Sequence, residues 1–313
     1  MPWRFVEMYA RMRFIDFVVS QALEINSRCL HSLAIAPGKI PPDVLQKLHE
    51  DRLRLNAMWA IAVPATDSRM FKAALKRGRT LAAAIGDEQR PGSAVALELA
   101  AKAPDEKTTR SLVKLSRGLA ARESRLDAEA LSVSFQEDSS AWRDLDVTQS
   151  LTDAEVVRQG IGRWYLHSRS LMRHWGTKSQ PKRSEVRAWH AWCWCTVYQL
   201  ELLKPELSER GKARRWYIDN LARSLDSYLE LGMLRKQAKQ VDLKRGAVER
   251  LQAFLDERRS KLWKRAIKLA VCAYADKSKV FVEDVQHSVE RLGLAAIVIL
   301  EPEPAPPEER DLA

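Results

Sequence analysis

A chain of 313 residues that is 46% apolar and 30% charged carries enough apolar surface to close a core, which excludes a disordered polymer as its default state. Lys and Arg number 52 against 41 Asp and Glu, a net charge of +11, so partners of opposite sign are favoured: polyphosphate, nucleic acid or an anionic membrane surface. The longest apolar run, Leu294 to Leu300, is seven residues, far short of the roughly 20 that a spanning helix needs, and no membrane span is expected.

Helical periodicity dominates and strand-like alternation is nearly absent, so the expected fold class is all-α with eleven helices. The first runs from Trp3 to Ala34 and the second from Pro42 to Val63, stopped by Pro64. Helices follow over Ser68 to Ile85, Ser93 to Lys102 and Asp105 to Phe135, the last preceded by Pro104, opened by acids that suit a helix N-terminus, and with Gly118 as its candidate break. Thr152 and Glu155 have the spacing of a capping box and start a helix to Trp175. Then come Ser184 to Lys204, Ser208 to Leu231, a short piece up to Val241, Gly246 to Ala275, and Ser278 to Leu292. The tail 301–313 holds four Pro and five acids against one Arg; it reads as extended and solvated, and it leaves +15 on the rest of the chain.

Phe71 to Gly86 and Trp216 to Gly232 share an aromatic start, Leu75 and Leu221 in like places, and an apolar-Gly end. That echo suggests two antiparallel helical bundles, 1–150 and 151–300, related by a pseudo-twofold arrangement. Cysteines at 29, 193, 195 and 272 are too few and too unevenly spaced for a disulfide framework, and they are read as free thiols. With a start that lacks the apolar core of a secretory signal, the expected compartment is the cytoplasm.

No phosphate loop, H-E-x-x-H, G-x-S-x-G or glycine-rich dinucleotide turn occurs, so a non-catalytic binding protein without cofactor is expected. The densest charge lies from Arg163 to Arg187, where Arg163, Arg169, Arg173, Lys178, Lys182, Arg183 and Arg187 face one acid, Glu185. Arg169 and Arg173 are one turn apart on a face shared with Tyr165, so their guanidinium forks could grip successive phosphates. His167 and His174 lie two turns apart and would add donors whose charge grows as pH falls toward 6. Lys72, Lys76 and Arg79 form a second cationic stripe. For both patches the plain alternative is a solvated basic face. His190-x-x-Cys193 places an imidazole and a thiol one turn apart, but the three tryptophans around it favour core packing over a metal site.

The segment Gly160 to Arg169, then Arg187-Ala188-Trp189-His190 and Tyr198 to Leu203, resembles the second half of the CHAD family of helical domains. Leu48-His49-Glu50-Asp51-Arg52 resembles the matching His-x-x-Arg of the first half, and Leu75 to Leu81 the helix after it, so the resemblance spans roughly residues 5 to 292. It implies two related halves around a basic channel, and inorganic polyphosphate as the bound anion. His49, Arg52, Arg79, Tyr165 and Arg169 stand at matched positions, with Arg187 and His190 exchanged. Asn56, Ala57, Trp59 and Trp194 stand where the family carries cations. The competing expectations are a protein-interaction scaffold with a degenerate anion site and sequence-tolerant nucleic-acid binding.

Overall fold

The computed structural model describes residues 12–35, 40–89, 92–120, 128–145, 151–175 and 181–292. The tail 301–313 and the opening of the first expected helix lie outside the described residues. Every regular element among them is helical: α1 (Phe14–Ala34), α2 (Pro42–Ala62), α3 (Ser68–Gln89), α4 (Gly92–Ala100), α5 (Glu106–Ala120) and α6 (Ala128–Arg143) come first. α7 (Asp153–Val156), α8 (Arg163–Trp175), α9 (Arg183–Leu202), α10 (Glu209–Gln237), α11 (Arg245–Ala273) and α12 (Ser278–Arg291) follow. A π-helical segment, Val157–Gly162, joins α7 to α8 without a break, so the described chain forms eleven rods in an all-α fold.

Local chemistry explains most boundaries. Pro42 opens α2, where a missing N–H is harmless, and Pro64 tightens its end into a 3-10 turn, Val63–Ala65. The capping box is formed: the Glu155 N–H donates to Thr152 Oγ1 at 3.3 Å, and the Thr152 N–H donates to Glu155 Oε2 at 3.0 Å. Ser208 caps α10 by accepting from the Gly211 N–H at 3.0 Å.

Two expected boundaries move. The helix expected over 105–135 is described as α5, which runs through Gly118, and α6, with 121–127 outside the described residues, and α6 continues through the polar run Gln136 to Ser140 because Asp138 and Ser139 are buried there. The separate piece expected up to Val241 is instead the end of α10. Gly232 does not interrupt that helix; it faces the Arg259 guanidinium, whose Cζ would lie in ordinary contact, 3.5 Å from an added Cβ.

α2 and α9 sit at the centre and run parallel. Gln199 Nε2 donates to the Ala57 carbonyl at 3.4 Å, and Arg54 lies over the Tyr198 ring at 5.4 Å. α1 and α3 pack on α2, and α8 and α10 pack on α9. Gly160 lets the π segment approach α2, since a Cβ there would stand 2.5 Å from the Ile61 carbonyl oxygen. Beside α2, the buried Asp138 carboxylate accepts from Trp59 Nε1 (2.9 Å), Trp142 Nε1 (3.1 Å) and Asn26 Nδ2 (3.1 Å), with Arg77 at 3.6 Å. Burial pushes that carboxyl above the ordinary carboxylate range, and the donors pull it back.

The main core draws on residues from Phe14 to Val289, so the segments before and after residue 150 share it. A second cluster joins α4 and α5 to facing parts of α10 and α11 through Leu112, Leu115, Leu234 and Leu251. No described helix is long and apolar enough to cross a membrane.

Candidate functional site

The structure brings three of the expected anion-binding residues together where α2, α9 and α10 meet. Arg52 of α2 is only 6% exposed, and no carboxylate among the described residues pairs with it; its buried Nε has no hydrogen-bond partner. Burial pulls the guanidinium down to about 10, although Tyr198 and Asp226 oppose the shift. One turn earlier His49 presents a buried Nδ1 that also lacks a partner. Burial lowers its imidazole to about 4, with Arg52 and His190 adding to the effect and Asp226 opposing it.

From α9, His190 Nε2 hydrogen-bonds Asp226 Oδ1 of α10, and Trp194 Nε1 donates to Asp226 Oδ2 at 3.1 Å. The Trp194 indole N–H also lies 3.0 Å from His190 Nε2, and both Asp226 oxygens are engaged without Arg52. Arg223 of α10 lies over the Trp194 ring at 5.8 Å while it pairs with Asp219 at 3.0 Å. Arg183, Arg187, His190 and Trp194 recur at spacings of four, three and four along α9, so they form one stripe that leads to this corner. Arg187 is exposed on that stripe.

The other expected residues lie elsewhere. Tyr165 is fully buried, its ring stacked on Phe281 at 3.9 Å, and its hydroxyl donates to the Asp276 carbonyl at 3.2 Å. Arg169 Nε donates to the Tyr274 carbonyl at 3.2 Å. The end of α11 leaves carbonyls without intrahelical partners, and this pair satisfies them. The Tyr165–Arg169 face therefore holds the turn between α11 and α12, and only Arg173, which is exposed, stays open to solvent on that stripe.

Arg163 is exposed, and its Nε donates to His167 Nε2 at 3.4 Å. Burial and the Arg163 charge hold His167 below its ordinary value, so it charges at lower pH than its isolated position suggests. Lys72 and Lys76 are exposed on α3, and the side chain of Arg79 lies outside the described residues. Arg77, on the inner face of the same helix, meets Asp138.

No family model, curated protein or solved structure matches this chain.

Asp226, Arg223 and Arg259 carry no motif and went unnoticed in the sequence; their part in the site depends on helix pairing. Two clefts open between helices, of about 730 Å³ between α1, α2 and the end of α9 and about 660 Å³ between α4, α10 and α11. The first is rimmed by Arg28, Lys47, Arg54 and Lys204 with Asp51 and Glu201, and neither cleft is lined by His49, Arg52 or His190.

Burial pushes the Cys193 and Cys195 thiols up to about 12, so neither offers a thiolate at neutral pH. No group of three metal-ligating side chains occurs among the described residues.

Proposed function

We propose that this chain binds inorganic polyphosphate, or another polyanion of similar charge spacing, without catalysis, along the α9 stripe that ends at Arg52 and His49. The observation that carries the reading is Arg52: a guanidinium nine-tenths buried, with an unpartnered Nε and no ion pair among the described residues. An unpaired buried charge costs several kcal/mol, and an anionic ligand removes that cost on binding. His49 adds an unpartnered ring nitrogen beside it, and Arg187 extends the stripe.

The reading includes the two-halves plan of a diverged CHAD-type domain. It is supported by the neighbour order, in which α1 and α3 flank α2 as α8 and α10 flank α9. The retained His49-x-x-Arg52 falls on the central helix of the first trio, and Arg187 with His190 on that of the second.

Long-chain polyphosphate titrated at several salt concentrations into the wild type, Arg52→Gln and the exposed control Lys114→Gln tests the proposal. Wild-type affinity is expected to fall steeply with salt, Arg52→Gln to weaken it by about tenfold, and Lys114→Gln to leave it nearly unchanged. Equal loss in both variants would instead indicate a scaffold with a degenerate anion site.

A second reading, sequence-tolerant binding of single-stranded nucleic acid, is favoured by one feature. The half-buried rings of Trp164, His167 and Trp192 lie within 6.4 Å of one another beside Arg163, a surface suited to stacking bases. Displacement of polyphosphate by single-stranded DNA, lost in Trp192→Ala, would establish it.

A further inference from the structure

Three arginines gather at the far end of the α9 stripe. α9 and α11 meet where the Trp189 and Trp263 rings lie 6.0 Å apart, and one turn before Trp263 on α11 is Arg259. α9 pairs antiparallel with α10, as His190 with Asp226 and Arg215 with Glu201 show, and α10 pairs antiparallel with α11, as Arg235 with Asp256 and Tyr228 with Arg259 show. α9 and α11 therefore run the same way, and stepping back along both from the tryptophan contact leads to Arg183 and Arg187 on one helix and Arg259 on the other. Arg259 is held there by the Tyr228 ring, 4.4 Å beneath its guanidinium.

This corner is rich in donors and poor in acceptors. The Nε atoms of Arg183 and Arg259 are both buried and without hydrogen-bond partners. The indole N–H groups of Trp175 and Trp189 are in the same state, and both rings pack on Trp263, which in turn touches Tyr228. The carboxylate at hand, Asp256, stands 3.5 Å from Arg259 Nη1 and 3.0 Å from Arg235 Nε, so it is shared with a fourth arginine. Burial, with Arg187 and Arg259 close by, lowers the Arg183 guanidinium from its ordinary value, the effect of crowding like charges. Such a group of forks is completed by one compact oxyanion that accepts from several of them at once.

We propose that Arg183, Arg187 and Arg259 form a binding site for a single phosphoryl group, and that this site anchors the terminal phosphate of a chain whose inner phosphates follow the α9 stripe toward Arg52. The anchor needs no catalysis and stands on its own cations; the continuation toward Arg52 rests on the functional reading above. Pyrophosphate carries the same terminal phosphoryl chemistry without the length to reach Arg52, and so it separates the two parts.

Calorimetric titration of the full-length protein with pyrophosphate at low salt, in the wild type, Arg259→Gln, Arg187→Gln and the exposed α11 control Lys264→Gln, is the test. One pyrophosphate is expected to bind per chain, with affinity reduced by about tenfold in Arg259→Gln and Arg187→Gln and retained in Lys264→Gln. Arg187 is exposed, so its substitution leaves folding unaffected and keeps the test interpretable if Arg259→Gln is destabilised. Absence of pyrophosphate binding, or equal binding in all four proteins, overturns the anchor. Arg52→Gln distinguishes the two failures. If it keeps long-chain affinity while the arginine variants lose pyrophosphate, the anchor stands and the stripe reading falls; if long chains bind through Arg52 while pyrophosphate does not bind, the stripe stands and the anchor falls.

Discussion

Arg52 and His49 hold opposite electrostatic positions within one turn of α2. Arg52 keeps its charge in a desolvated place, and a residue of similar length without charge relieves that strain. Arg52→Met is therefore expected to raise stability by about 1–2 kcal/mol in chemical denaturation while it weakens polyphosphate binding, the opposite signs that mark a site under functional demand. A loss of stability in that variant would mean that the guanidinium has a structural partner. His49 is held neutral, with its folded value at about 4 against 6.5 unfolded. The stability linked to it is fully present above pH 6.5 and is lost as pH falls toward 4, about 3 kcal/mol in all. Denaturant unfolding at pH 7.5 and 4.5 checks this: His49→Gln is expected to lose less stability on acidification than the wild type, and parallel losses would refute the assignment.

Two helix contacts make distinct predictions among the elements. Tyr165 and Arg169 satisfy carbonyls at the end of α11, so Arg169→Ala is expected to cost about 1 kcal/mol of stability and leave polyphosphate affinity unchanged. A selective loss of affinity would return Arg169 to the binding surface. Gly160 carries the close approach of the π segment to α2. Gly160→Ala places a methyl group against the backbone at Ile61, where no side chain can swing aside, and about 2–3 kcal/mol of destabilisation is expected in thermal or denaturant unfolding. Unchanged stability would show that the two segments can separate without cost. The periodicity of α8 and α12 was legible in the sequence because each buries one stripe. α6 was not, because its inner face carries Asp138 and Ser139; Asp138 becomes a core residue only when Trp59 and Asn26 supply donors from other helices and Trp142 from its own.

Across the whole molecule, stability is divided between two apolar clusters. The larger includes the parallel pair α2 and α9; the smaller ties α4 and α5 to facing parts of α10 and α11. A cluster that rests on fewer helices opens more readily, so amides of α5 from Leu112 to Leu119 are expected to exchange before those of α9 from Val186 to Leu200 in native-state hydrogen exchange. Simultaneous exchange would show one cooperative unit. The placement of charge follows the same plan. Most cations are spread over solvated helix faces, while buried guanidinium nitrogens without hydrogen-bond partners occur on Arg52, Arg77, Arg183, Arg215 and Arg259.

Composition and apolar spacing by themselves determined the helical class, the number of rods and most of their ends, because helix periodicity, proline and capping residues act within a few positions along the chain. The His49-x-x-Arg52 and Arg187 to His190 segments were marked by the family resemblance and not by composition or spacing. Only the tertiary structure decided which cations lack counter-charges. Arg169 and Arg77 look as available in the sequence as Arg52 does, yet one is taken by a carbonyl at Tyr274 and the other meets Asp138. Desolvation and pairing depend on side chains brought from distant helices, and no local pattern in the sequence encodes that arrangement.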